Sequence, residues 1–288
     1  MQNFSKNKKM QVAGEFLYRL QKSWSSKLGI GLLVLIVLLC LIGPFFSPYG
    51  INEIDLSSIY AGPSAKHWLG CDTMGRDMLT RLLYGGRYSL ALGLVTALFG
   101  AVLGTVIGCI AGYFGGKTEM MLMRIMDVWS ALPSLMLCIL ISAVLGSGFF
   151  ATVLALSVGN IPNGMRMVRG QILSERTKEY IEAAISINCS KTVVMFQHLL
   201  PNVIQPMIVN TTMGIGSAIA MAASLSYIGL GIQPPDPEWG AMLADGKTYV
   251  YVYPHLILVP GIAIALVVFG INLLGDGLRD ALDPKLRD

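Results

Sequence analysis

Long apolar runs alternate with short charged segments along this chain. The first run, 28–46, is about nineteen residues long, enough for a helix to cross a bilayer. Further runs follow at 88–113, 120–145, 149–165, 207–232 and 254–274. The pattern predicts an all-α integral membrane protein with six transmembrane helices. The polar stretches then fall into a leading segment 1–27, a long loop 47–87, short returns near 115 and 147, an island 174–206, a second loop after 232, and a tail 279–288. The unit that carries the later spans is 88–278.

Local residues refine these spans. Gly100, Gly104, Gly108 and Gly112 recur every fourth residue, so they line one helical face and let another helix approach closely. Pro133 predicts a kink in the third span. Gly146-Ser147-Gly148 marks a tight return, and the fifth span is rich in small residues from Gly214 to Ala223. Arg124 and Asp127, three apart, are expected to pair with each other.

Charge placement sets the orientation. Six spans put both termini on one side, and 16 of the 21 Lys and Arg residues fall on that side, against five on the other. The positive-inside rule therefore places both termini and the 174–206 island in the cytoplasm. A cleaved signal peptide is the competing reading of 1–46. The basic lead is long for one, and Gly43-Pro44-Phe45-Phe46 is no small-residue cleavage site, so an uncleaved first span is expected.

The island 174–206 is the most informative stretch. Thr177 can cap a first helix, with Glu179 and Glu182 near its positive end. Asn188 sits where that helix should stop, since Asn tolerates the left-handed conformation of a helix end. Ser190 can cap a second short helix bearing Val193, Phe196 and Leu200, and Pro201 is expected to end it. A compact helix-turn-helix is predicted.

The residues Glu179-Tyr180-Ile181-Glu182-Ala183-Ala184, then Asn188, then Leu200-Pro201-Asn202, resemble the EAA loop of ATP-binding-cassette importer permeases. The whole chain resembles the dipeptide/oligopeptide/nickel branch of that family, with Asn188 standing where the family usually carries Gly. The resemblance implies that Glu179, Tyr180, Glu182, Ala183, Ala184, Asn188, Leu200 and Pro201 form a coupling element that docks on a separate ATPase. It also implies a second homologous permease, two cytoplasmic ATP-binding-cassette ATPases and an extracytoplasmic substrate-binding protein as partners, in a bacterial-type inner membrane. ATP is then used by the partner ATPases. This chain is expected to bind no cofactor and to have no catalytic residue.

Two outer-loop stretches carry the same resemblance. His67-Trp68-Leu69-Gly70-Cys71-Asp72-Thr73-Met74-Gly75-Arg76-Asp77 contains metal-ligand residue types without a recognised spacing. Its other reading is a loop ordered by Gly and Asp, in which Asp72, Gly75, Arg76 and Asp77 are structural or face the binding protein. Gly231 to Gly240 includes Gln233, Pro234, Pro235 and Trp239; the prolines stiffen the backbone and Trp239 suits a membrane interface.

Composition excludes several other classes. With 54% hydrophobic and 13% charged residues and a mean hydropathy of +0.62, this is no soluble globular chain. Ala111 to Thr118 matches a relaxed phosphate-binding loop but follows a membrane span instead of a buried strand. The helix-turn-helix is nearly charge-balanced and tethered at both ends, which argues against DNA. Five scattered cysteines give no metal spacing and no expected internal disulfide. Span interiors lack Asp, Glu, Lys and Arg, and His255 is the only His at a span edge, so a proton-relay carrier is disfavoured. An ion-coupled secondary carrier, a channel and a membrane enzyme remain the alternative classes. For an importer, di- or oligopeptides are the first substrates to consider, then glutathione-like peptides or nickel chelates.

Overall fold

The computed structural model describes Leu20 and residues 22–282; most of the leading segment 1–27 and the end of the 279–288 tail lie outside the described residues. The helices are α1 (Trp24–Ile42), α2 (Met78–Phe114), α3 (Gly116–Trp129), α4 (Ser134–Leu145), α5 (Phe149–Arg176), α6 (Glu179–Ser186), α7 (Lys191–Tyr227), α8 (Trp239–Gly246) and α9 (His255–Leu282). Among the described residues the one β-bridge joins Cys71 and Asp77.

Four helices are long and apolar enough to cross a membrane: Trp24–Phe46, α2, α7 and α9. The third expected span is not a kinked helix. It is two helices, α3 and α4, bent by 81°, and counting them as one span gives five. Pro133 sits in extended geometry (φ −53°, ψ 136°) at the start of α4, where its missing N–H costs nothing. The expected fourth span lies within α5, but Asn160, Asn163, Arg166 and Arg169 interrupt its apolarity, and it does not meet the same test. Six spans therefore do not follow from length and apolarity.

Helix α2 begins ten residues before the expected 88. Asp77 caps it, accepting from Thr80 N (2.8 Å) and Thr80 Oγ1 (2.7 Å). The extra turns are polar only on faces that find partners. Arg87 donates to Cys40 O (2.9 Å) and Leu41 O (2.8 Å), satisfying orphan carbonyls at the end of α1.

Helix α5 overshoots the expected boundary at 165 for a similar reason. Arg166 bonds Asp127 at 3.1 Å, so Asp127 pairs across helices and not with Arg124. Arg169 holds Glu119, with Nε to Oε1 at 2.6 Å. Arg176 donates to Gly112 O (3.2 Å) and Tyr113 O (3.0 Å), closing the end of α2.

The glycine face of α2 does pack as expected, against α5. A Cβ on Gly108 would come within 2.7 Å of Met165 O, too close for any larger residue. Higher up, Gly93 seats Ile219 of α7, and a Cβ there would meet Ile219 Cγ1 at 2.4 Å. The segment 111–118 is the end of α2 and the start of α3. Helix precedes it, so the phosphate-loop form is not built.

Candidate functional site

The 174–206 island folds into a short helix, a tight turn and the foot of a long helix. Thr177 does not cap the first of these. It ends α5 and donates to Ser174 O at 3.1 Å, while Lys178 occupies the N-cap position of α6. Glu179 and Glu182 lie in the first turn of α6, as expected from the helix dipole. Asn188 adopts φ +59°. Its N–H donates to Ile185 O (2.9 Å) and the Cys189 N–H to Ala184 O (3.1 Å), the paired bonds of a Schellman motif. Ser190 caps the next helix, accepting from Val193 N at 3.4 Å.

Pro201 does not end that helix. Residues Val194–Leu199 adopt a π-helical turn and run directly into Leu200–Tyr227, giving one 37-residue helix. The wider turn shifts the carbonyl register ahead of Pro201, which otherwise lacks the N–H to complete an α-helical ladder.

Helix α6 has two unlike faces. Ile181 and Ala184 are buried, packed with Cys109, Val168, Ile172 and Leu199. Ala184 therefore points into the bundle. Glu179, Glu182 and Ala183 are exposed, beside Ile185 and Ile187, which are 54% and 77% exposed. Leu200 is half-buried and Pro201 exposed.

Tyr180 ties the element together. Its hydroxyl donates to Glu175 Oε1 (2.5 Å) and accepts from Asn202 Nδ2 (3.0 Å), joining α5, α6 and α7. Burial and the Glu175 carboxylate push the Tyr180 phenol up to about 12. Burial alone would raise Glu175, but the bonds from Lys178 (2.7 Å) and Tyr180 outweigh it and hold the carboxyl below its usual range. Glu175 lay outside the sequence-based site, since Tyr180 is turned toward it only where α6 meets the foot of α7.

At the opposite end, the outer-loop residues form a buried polar staple. Asp72 Oδ1 accepts from Met74 N (2.8 Å) and Arg76 N (2.9 Å). Its Oδ2 faces Arg76 Nε (2.6 Å) and Arg81 Nε (3.4 Å). Arg76 also approaches Asp245 at 3.7 Å. Burial raises the Asp245 carboxyl, opposed by Arg76 and Arg81. Asp77 holds His67 Nδ1 at 3.0 Å while capping α2. Gly75 turns at φ +77°, and a Cβ there would meet Asp55 O at 2.0 Å. Burial, with Asp77 and Asp72 nearby, pushes the Cys71 thiol up to about 11. Among the described residues, no group of three His, Cys, Asp or Glu side chains is placed to hold a metal.

Trp239 is not an interface anchor. It is 1% exposed, donates to Leu82 O (2.9 Å), and packs on Cys40, Met78 and Ile219. Gly85 and Gly86 make this possible. A Cβ on Gly85 would meet Pro237 O at 1.8 Å, and one on Gly86 would meet Trp239 Cζ2 at 2.8 Å. Glu238 completes the lock, bonding Ser89 (3.0 Å) and Ala241 N (3.0 Å). Gly85, Gly86, Ser89 and Glu238 lay outside the sequence-based site; only the adjacent glycines hinted at a backbone approach. Gln233 donates to Ser226 O at 3.2 Å, while Pro234 and Pro235 stay exposed.

This helical membrane bundle, with the short two-faced α6 at one end and a stapled loop cap at the other, has the fold of a type I ABC importer permease. A chain of the inward-facing MetNI methionine ABC transporter superposes with a TM-score of 0.59 at 21% identity, over 72% of this chain and 98% of its own, which shows the fold. The sequence family of binding-protein-dependent transport system inner membrane components matches residues 104–288. The N-terminal TM domain of oligopeptide transport permease C matches residues 13–63. The glutathione transport system permease protein GsiD of Escherichia coli O6:K15:H31 is 41% identical over 95% of this chain and 90% of its own. Its counterpart in Salmonella typhimurium is 43% identical over the same shares. This chain belongs to the family of binding-protein-dependent transport system inner membrane components. It is a permease subunit of an ABC importer.

Proposed function

We propose that this permease imports small peptides, di- or oligopeptides or glutathione itself, and that its 174–206 element couples the pathway to partner ATPases. The coupling reading is carried by the two-faced α6. Ile181 and Ala184 anchor it to the bundle, while Ile185 and Ile187 lie exposed beside Glu179, Glu182 and Ala183. Exposed isoleucines on a helix fixed so rigidly are suited to a partner groove. Tyr180, Asn188, Leu200 and Pro201 hold the presenting surface in place. Nothing in this role calls for catalysis, so ATP hydrolysis belongs to the partner subunits.

The same reading places both termini and the 174–206 element in the cytoplasm, with six crossings when α5 and the α3–α4 pair each count as one. A second permease completes the pathway. The extracytoplasmic binding protein meets the opposite end, where Pro234 and Pro235 are exposed and Asp72, Gly75, Arg76, Asp77 and Trp239 brace the surface from within. Glutathione as substrate is supported by the relatives' function; it is a small peptide, in keeping with the match to an oligopeptide permease domain.

A disulfide crosslink tests the coupling. One cysteine replaces Ala183 in a background without the native five, and another is placed in the groove of the co-expressed ATPase. A specific bridge that blocks ATP-driven uptake, reversed by reductant, is the expected result. No bridge, with uptake following an ion gradient and indifferent to ATP, would overturn the reading in favour of a secondary carrier.

A further inference from the structure

Midway along the bundle, α2, α5 and α7 line an open cavity of about 230 Å³. Its wall includes Gly100 of α2, Asn160 and Asn163 of α5, and Asn210, Thr211 and Ser217 of α7. Asn160 Nδ2 donates to Leu156 O at 3.1 Å. The side chains of Asn163 and Asn210 have no partner among the described residues, and all three amides stand on exposed helix faces.

Hydrocarbon cannot satisfy these groups. Three exposed amides on neighbouring faces, midway along membrane-bundle helices, belong where water, a partner chain or a solute meets the helices. Chemistry narrows the choice. A side-chain amide presents a donor and an acceptor together, the same pair that a peptide bond presents. The wall has no carboxylate, imidazole, thiol or ammonium, so it offers no charged partner to a peptide terminus and only neutral amide and hydroxyl hydrogen bonds.

The geometry points to Asn160, Asn163 and Asn210 as a hydrogen-bonding station for the amide groups of a peptide in transit. This rests on the importer function proposed above and names its substrate contacts. The cavity is smaller than the ~300–1,000 Å³ typical of closed ligand sites, so it holds part of a peptide and leaves the rest to the facing subunit. Neutral hydrogen bonds are also weak enough to release what they bind, as a pathway requires.

The test uses the complete importer in proteoliposomes, with S-methylglutathione as the probe because it carries no free thiol. Asn163→Leu combined with Asn210→Leu is expected to lower ATP-driven uptake by about tenfold, from the loss of two such bonds. The second permease should still co-purify. Uptake within about twofold of wild type, the smallest change one lost bond would give, refutes the station.

If the leucine variant loses the second permease, Asn163→Cys decides the question. Cys40, Cys71, Cys109 and Cys138 are buried, so only half-buried Cys189 needs replacing by Ser. A water-soluble thiol reagent should label position 163, and labelling should slow when ATP, binding protein and S-methylglutathione are all present. A rate unchanged by the probe makes the amides a subunit contact and overturns the proposal. A wild-type complex that takes up no peptide with ATP refutes the function itself, and this station with it.

Discussion

Replacing Asn188 tests whether the turn between α6 and α7 is held by its backbone conformation. At φ +59° a β-branched residue pushes its side chain against the following carbonyl. Keeping Val in that conformation costs about 1–2 kcal/mol. Abandoning it instead forfeits the two bonds at 2.9 and 3.1 Å, together about 1–3 kcal/mol. The cheaper route sets the cost at about 1–2 kcal/mol, which makes local opening about 5–30-fold more frequent. Hydrogen exchange in detergent, read at the amides of residues 188 and 189, should therefore accelerate by that factor in Asn188→Val. Asn188→Gly should exchange no faster than wild type, because Gly reaches the same conformation freely. ATP-driven uptake should follow the same order, retained in Gly and reduced in Val. Equal protection in Val and wild type, or faster exchange in Gly than in Val, would refute the argument.

Three further outcomes follow from the packing. Asp72→Asn leaves the buried Arg76 and Arg81 without their carboxylate, a loss of about 3–5 kcal/mol; thermal unfolding in detergent should show a lower midpoint, with no drop counting against the staple. Gly85→Ala drives a methyl into Pro237 O and should release Trp239, seen as a red-shifted and more quenchable fluorescence; an unchanged spectrum would contradict the contact. Glu175 is held below its usual carboxyl value, so its folded pKa lies under the unfolded one. Its contribution is present above the unfolded value and is lost as pH falls through the folded one. Protease nicking near residue 178 should rise on acidification, and Glu175→Gln should abolish that acid dependence.

What the sequence made legible was local. Asn188 and Ser190 were readable because their geometry depends on neighbours within five residues. Features set by distant residues were not. The buried place of Trp239 depends on Gly85 and Gly86, about 150 positions away, and an aromatic beside a span otherwise suggests an interface. Asp127 had a local candidate in Arg124, but Arg166 on another helix reaches it. The start of α2 was hidden because Arg81 and Arg87 look like loop charges until the carbonyls and carboxylates they bind are in place. Pro201 was misread because a proline ends a helix only when the turn before it cannot widen.

The unbroken α7 makes the two ends of the molecule mechanically dependent. At about 1.5 Å per residue, its 37 residues form a rod about 55 Å long. Ile219, wedged against Gly93, divides that rod into a short arm of about 12 Å toward Tyr227 and a long arm of about 42 Å toward Lys191. Such a see-saw turns a shift of about 5 Å at the turn into an opposite shift of about 1.5 Å at the far end. Movement inward at one mouth is then movement outward at the other. If α7 pivots in this way, a pathway bounded by it would open at one mouth only as it closes at the other, without a separate latch.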